Sequence, residues 1–176
     1  MPTKITFGLS KREVADAIKQ IEQIKRELPV KVKELVRRLT EEGKVIAKLK
    51  VEQMNAEYTG LLKDQIDGYF SESAGIGLIH TGSAWYAAFV EFGTGVVGQG
   101  SPHPVAEANG WRYDVNDHGE AGWYYPTDDP NLIRYTASDG KTFGWTKGMA
   151  SRPFMYETAK DLESLCHKIA KEVFQQ

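Results

Sequence analysis

From Val14 onward, apolar residues recur at alternating steps of four and three: Val14, Ile18, Ile21, Leu28, Val32, Leu35, Leu39, Ile46 and Leu49, with Lys25 and Glu42 at the two positions that interrupt the row. That spacing keeps one face of an α-helix apolar over about ten turns. Ser10 and Glu13 have the spacing of a capping box, and Leu9 and Val14 that of a hydrophobic staple, so the helix should start at Ser10 and run to about Met54. A helix of about 40 residues spans ~60 Å at a rise of ~1.5 Å per residue, well over the diameter of a domain this size. Pro29 falls inside the seam, where it removes an amide donor and crowds the preceding turn, so a kink or a division of the helix is expected near Leu28. Two arrangements follow. Either the helix folds back as an antiparallel pair within the core, or it protrudes as an arm that packs on a neighbouring subunit.

The rest of the chain reads as shorter pieces. Ile5-Thr6-Phe7-Gly8-Leu9 alternates like a short strand or an extended lead-in. Ser71 to Gly75 forms a turn ahead of the strand-like Ile76-Gly77-Leu78-Ile79-His80, so two strands joined by a turn are predicted. Ala84 to Phe92 is densely apolar apart from Glu91 and reads as a short helix, whereas the glycine-rich stretch from Gly93 to Gly110, with Pro102 and Pro104, reads as a long mobile loop. Four aromatic clusters between Trp111 and Trp145, separated by Asn, Asp, Gly and Pro turn chemistry, read as a small β-hairpin insertion. A last helix opens around Arg152-Pro153 and carries Met155, Ala159, Leu162, Leu165, Ile169 and Val173 on one face, which should dock on the core. The expected fold is α+β: a long N-terminal helical arm, a small mixed or antiparallel sheet, a docked C-terminal helix and a β-hairpin insertion. In one domain overall, the lead-in strand and arm take residues 1–57, the α+β core 58–97 and 148–176, and the loop and insertion 98–147.

Charge and composition remove several classes of function. The 176 residues are 41% hydrophobic, enough for a real core. Lys and Arg number 22 against 24 Asp and Glu, so the chain lacks the excess positive charge with which proteins grip phosphates, and no sequence-specific nucleic-acid binding is expected. No apolar run reaches the roughly 20 residues of a membrane span and the N-terminus has no signal-like apolar region, so a soluble protein made in a cytoplasm is expected, with no membrane partner. Cys166 is the single cysteine, which excludes an internal disulfide. The balance is uneven: residues 1–70 carry 14 basic and 11 acidic side chains, residues 71–150 carry 4 and 9. Most such asymmetry is a solvated face, but it also suits self-association of unlike surfaces.

The chemical motifs are weak. Gly93-Thr94-Gly95-Val96-Val97-Gly98 matches the phosphate-loop string G-x-G-x-x-G, yet a phosphate loop needs a helix beginning inside it, and Gln99-Gly100-Ser101-Pro102-His103-Pro104 reads as unable to continue one. Asp114, Asp117, His118 and Glu120, or Asp128 and Asp129, lie in turn sequences, and calcium-loop spacing is met only at Asp114, Asn116 and Gly119. His80, His103 and His167 read as structural or incidental. Ser83 lacks the Gly-x-Ser-x-Gly elbow, and Cys166 lies on an apolar helix face. No catalytic, cofactor or metal residue is assigned, and no enzymatic activity or cofactor is expected.

Three separated motifs, at residues 59–66, Tyr86-Ala87-Ala88-Phe89-Val90-Glu91-Phe92-Gly93-Thr94-Gly95 and Arg152-Pro153-Phe154, together resemble the HK97 gp10-like family of phage tail-completion and neck proteins. Thr59-Gly60-Leu61-Leu62-Lys63-Asp64-Gln65-Ile66 is similar to its Thr-Gly-x-Leu-(Arg/Lys)-x-Ser-Ile element, with Gln65 where serine is common. Tyr86-Ala87-Ala88-Phe89-Val90-Glu91-Phe92-Gly93-Thr94-Gly95 resembles its Tyr-Ala-x-x-Val-Glu-Phe-Gly-Thr signature, and Ala150-Ser151-Arg152-Pro153-Phe154-Met155 its Arg-Pro-Phe element. Order and spacing agree from about Tyr58 to the C-terminus. The segment from Gly98 to Lys147 is longer than compact members carry. The resemblance implies a structural virion protein of a long-tailed phage or prophage, present in the tail or neck and in the host cytoplasm during assembly. It would form a ring with copies of itself, sixfold by analogy, between the head connector and the tail tube or its terminator, and it brings no catalytic residues. The acidic middle segment would then line the channel and repel DNA.

Physical chemistry supplies expectations for the matched residues. Glu91 sits in an apolar surround and is expected to pair with Arg152 or to accept amides from the Gly93–Gly95 turn. Gly93 and Gly95 would permit a tight turn after Phe92, and Phe92 and Phe154 would anchor the last helix, next to Pro153. A different reading makes the Trp and Tyr residues of the insertion a carbohydrate- or peptide-binding surface.

Overall fold

In the computed structural model, which describes residues 5, 7–56 and 60–175, helix α1 runs unbroken from Lys11 to Gln53. Its start is the expected capping box: the Glu13 amide donates to Ser10 Oγ, and the Ser10 amide donates back to the Glu13 carboxylate, each at 3.3 Å. Its end is a Schellman turn. Asn55 takes a left-handed φ of 47°, the Ala56 amide reaches the Val51 carbonyl at 2.9 Å and the Asn55 amide the Glu52 carbonyl at 3.1 Å, with Val51 and Ala56 both buried. The expected division at Pro29 does not occur. Proline deletes one hydrogen bond, the one to the Lys25 carbonyl, and every residue from Ile18 to Val30 is exposed, so water can take the freed carbonyl while the bonds on either side hold the helix. The expected antiparallel helix pair is likewise absent, because α1 never turns back. Ile5 and Phe7–Leu9 belong to no strand, and Thr6 lies outside the described residues.

The fold is α+β and divides into two compact units. The first unit comprises the chain up to Lys48, Ile66–His80 and Thr158 onward. Its sheet is the hairpin of β1 (Asp67–Ser71) and β2 (Ile76–His80), antiparallel with Tyr69 opposite Leu78 and Ser71 opposite Ile76. Alternation puts Gly68, Phe70, Gly77 and Ile79 on the face toward α1. The approach is close: a Cβ added to Gly77 would lie 1.9 Å from Thr40 Oγ1, and one added to Gly43 would lie 2.2 Å from Ile79 Cδ1. Helix α5 (Phe154–Gln175) supplies Leu162, near Gly43, and buries Thr158, Ile169 and Val173; Glu172 reaches Arg38 at 3.6 Å.

The second unit comprises Leu49–Gln65 and Thr81–Glu157. It contains α2 (Leu61–Gln65), α3 (Ala87–Phe92), α4 (Gly95–Gly100) and a three-stranded antiparallel sheet of β3 (Trp123–Pro126), β4 (Tyr135–Thr136) and β5 (Thr142–Thr146), ordered β3-β5-β4. Strand β6 (Gly148–Met149) makes antiparallel bridges to Thr94 and Gly95. Residues 98–147 are therefore more than a hairpin. Residues 93–110 differ most from expectation. They contain α4 and a 3-10 turn at Glu107–Asn109 instead of one long loop, because Gly93, Gly95 and Gly98 sit at close backbone crossings.

Candidate functional site

Helix α3 presents Ala87, Val90 and Glu91 to the interior, at the one, four and five positions that share a helical face. Glu91 is thus a carboxylate only 7% exposed, and such a group must be met by donors. They come from the start of α5. The first amides of a helix have no partner within it, and here the Met155 amide donates to Glu91 Oε2 and the Tyr156 amide to Oε1, both at 2.9 Å. A carboxylate at this end also meets the positive pole of the helix. The third donor is His103, 4% exposed, whose Nε2 lies 3.0 Å from Glu91 Oε1. The Val105 amide donates to His103 Nδ1 at 3.2 Å, which makes Nδ1 an acceptor and places the ring proton on Nε2, pointing at Glu91. Tyr113 Oη fixes the His103 backbone by accepting from its amide at 2.9 Å, and the imidazole lies 4.3 Å from the Phe92 ring and edge-on to Tyr156.

Glu91 therefore pairs with neither of its expected partners. Arg152 precedes the first turn of α5, so its amide meets the Val90 carbonyl at 2.9 Å instead. Within the Gly93–Gly95 turn, the Gly95 amide is taken by the Tyr113 carbonyl at 2.6 Å. The turn itself requires glycine. Gly93 has φ 81° and an added Cβ would lie 2.7 Å from the Ser151 nitrogen; Gly95 has φ 62° and an added Cβ would lie 2.2 Å from the Lys147 carbonyl oxygen.

The structure gathers the second and third motifs at one junction. Ser151 Oγ donates to the Glu91 carbonyl at 2.7 Å, Phe154 is fully buried, and Pro153 stands immediately before α5, where a missing amide costs nothing. Phe92 is half-buried and stacks on Trp111 at 4.8 Å, while Trp111 Nε1 donates to the Gly93 carbonyl. Thr94 bridges Met149, and Tyr86 caps the start of α3 with its backbone. Of the first motif, Thr59 lies outside the described residues; Gly60 and Leu61 open α2, and Gln65 Oε1 accepts from the Ser83 amide and hydroxyl at 3.1 and 3.0 Å. Sequence reasoning left His103 as structural or incidental and did not connect it with Glu91. Its signal was a histidine held between two prolines close after a glutamate that needed a donor.

A buried carboxylate–imidazole pair has the composition of an acid–base site, but both ring nitrogens are engaged and neither group faces solvent, so the pair locks backbone to backbone. Next to it, an open cleft of about 610 Å³ is lined by Trp85, Phe89, Trp123, Tyr125, Met149 and Arg152. Trp85 there is 80% exposed. The glycine string that resembles a phosphate loop does open a short helix, contrary to expectation, yet the amides of Gly95 and Val97 are directed at the carbonyls of Tyr113 and Lys147. Asp114 closes its own turn by accepting from the Gly119 amide at 2.7 Å and approaching His118 Nδ1 at 3.1 Å, contacts that hold its carboxyl below the usual range. Among the described residues no cluster of three or more His, Cys, Asp or Glu is placed to hold a metal, and no helix is long and apolar enough to cross a membrane.

No known protein family matches this chain, and neither does any curated protein or solved structure. The resemblance rests on the three motifs alone.

Proposed function

We propose that this chain is a structural virion protein of a long-tailed phage or prophage, a tail-completion or neck component whose copies form a ring between the head connector and the tail tube. The observation that carries the reading is the use to which the three motifs are put: Gln65, Glu91, Gly93, Gly95 and Phe154 all hold one backbone segment against another within a single unit. A fold that spends its distinctive residues on rigidity, and leaves apolar side chains outside, is suited to docking. The partners are further copies of the chain, the head connector and the tail-tube or terminator protein. The acidic segment from residue 71 to 150 would face the channel, repelling DNA in transit. Deleting the gene from the producing phage or prophage should leave filled heads and finished tails unjoined in electron micrographs, with joining restored by the gene in trans. Normal, infectious particles from the deletion strain would overturn the reading.

The aromatic cleft favours a second reading, a module that binds a carbohydrate or peptide against Trp85, Phe89 and Trp123. It requires saturable quenching of tryptophan fluorescence by a soluble oligosaccharide or peptide, abolished in Trp85→Ala.

A further inference from the structure

The first unit exposes two apolar faces. On the N-terminal half of α1, Val14, Ile18, Ile21, Ile24, Leu28 and Val32 are 36–53% exposed and form one stripe. On the β1–β2 hairpin, the face turned away from α1 carries Tyr69, Ile76 and Leu78 at 54–61% exposure; the pairings Tyr69–Leu78 and Ser71–Ile76 put them in one patch. Each face amounts to roughly 300–500 Å² of apolar surface, the size that marks an interaction site on a soluble chain.

The two faces cannot cover each other within one chain. The hairpin is tied to α1 between Lys33, which meets Glu72 at 3.7 Å, and Lys44, which meets Asp67 at 3.6 Å, and it packs on Thr40. Ile21 lies ~28 Å along the same continuous helix from Thr40 at ~1.5 Å per residue. Charge distinguishes the possible occupants. Lys25 stands in the middle of the stripe, so parallel pairing of two arms in register would set lysine against lysine. The segment 67–80 carries no Lys or Arg, and Asp67 and Glu72 rim it with exposed carboxylates. A two-stranded hairpin alone is marginal, and a helix on its second face would complete the layering that α1 begins on the first.

We propose that the arm stripe of one copy docks on the outer face of the β1–β2 hairpin of the next copy, with Lys25 directed toward the Asp67–Glu72 rim. The inference rests on the assembly reading above and names the contact. Each chain gives one face and receives on the other, a heterologous contact that closes into a ring when the rotation permits. Burying both faces with their polar margins reaches about 1,200 Å², the lower end of specific interfaces.

The test uses the full chain with two variants, Ile21→Asp and Leu78→Asp, in sedimentation velocity. Both residues are exposed, so far-ultraviolet circular dichroism and melting in dilute solution should match the parent. Each variant alone should associate at least a hundredfold more weakly than the parent. A one-to-one mixture of the two should form dimers, because it retains one intact stripe and one intact hairpin face. Association of Leu78→Asp at parental strength would overturn the proposal and point to arm-on-arm pairing, and so would a parent chain that stays monomeric at about 0.1 mM. The gene-deletion phenotype separates the two levels: unjoined heads and tails together with a failed mixing experiment would leave the virion role standing and this contact wrong.

Discussion

The junction around Glu91 and the first six turns of α1 are opposites. One buries a charge and surrounds it with three donors; the other sets six branched apolar side chains in water. Both depart from the usual partition of polar and apolar groups, and they depart for different reasons. The buried charge is balanced inside the chain, by the first amides of α5 and by His103. The exposed stripe has no such internal balance. Its surface is compatible with a stable monomer only because α1 draws its fixed structure from the half that packs on the hairpin and α5. Stability should therefore be sensitive at the first place and indifferent at the second.

The largest effect is expected from Glu91→Ala, which leaves two helix amides and the His103 Nε2 proton buried and unmet. A loss of about 3–5 kcal/mol follows, or roughly 10 °C in a thermal melt of a chain this size. Glu91→Gln keeps one acceptor oxygen and should lose about half as much. Unchanged melting in both would erase the contrast between the two regions. Gly93→Ala comes next, at about 2–3 kcal/mol, since it forces a side chain into a left-handed φ and against the Ser151 backbone; urea titration would measure it.

A smaller effect sits on the packed half of α1. The guanidinium groups of Arg37 and Arg38 hold the Glu34 carboxyl well down, at about 2, with bonds of 2.8 and 2.7 Å. A depressed folded value means the contribution is present in full above the ordinary carboxylate value of 4.5 and is lost as pH falls toward about 2. The melting difference between the parent and Glu34→Gln should accordingly shrink across that window, and also in high salt, because the group is partly exposed. The smallest effect is expected for Leu28→Ser on the bare stripe, within ~0.5 kcal/mol in dilute solution. A larger loss would mean that the stripe is covered within the chain after all.

Local signals in the sequence were read correctly. The capping box at Ser10, the β1–β2 turn and the apolar run that becomes α3 are each specified by residues within a few positions of one another. The division at Pro29 was over-read, since one missing hydrogen bond in a solvated helix interior is weaker than the flanking ladder. Glycine in residues 93–110 was taken as freedom, whereas Gly93 and Gly95 are there for backbone crossings with residues 147–151. The partners of Glu91 were out of reach of local reasoning: they lie 64 and 65 residues onward, and His103 lies 12 onward, so only tertiary structure brings them together.

Pro29 acquires a different meaning once the helix is seen to be whole. Four residues before it, the Lys25 carbonyl lacks the amide that would otherwise restrain it, and this notch lies within the bare stripe, ahead of the packed shaft. A rod weakened at one turn flexes there first. In the proposed ring, bending at that turn would take up small differences in angle between neighbours without loosening the packing farther down the chain.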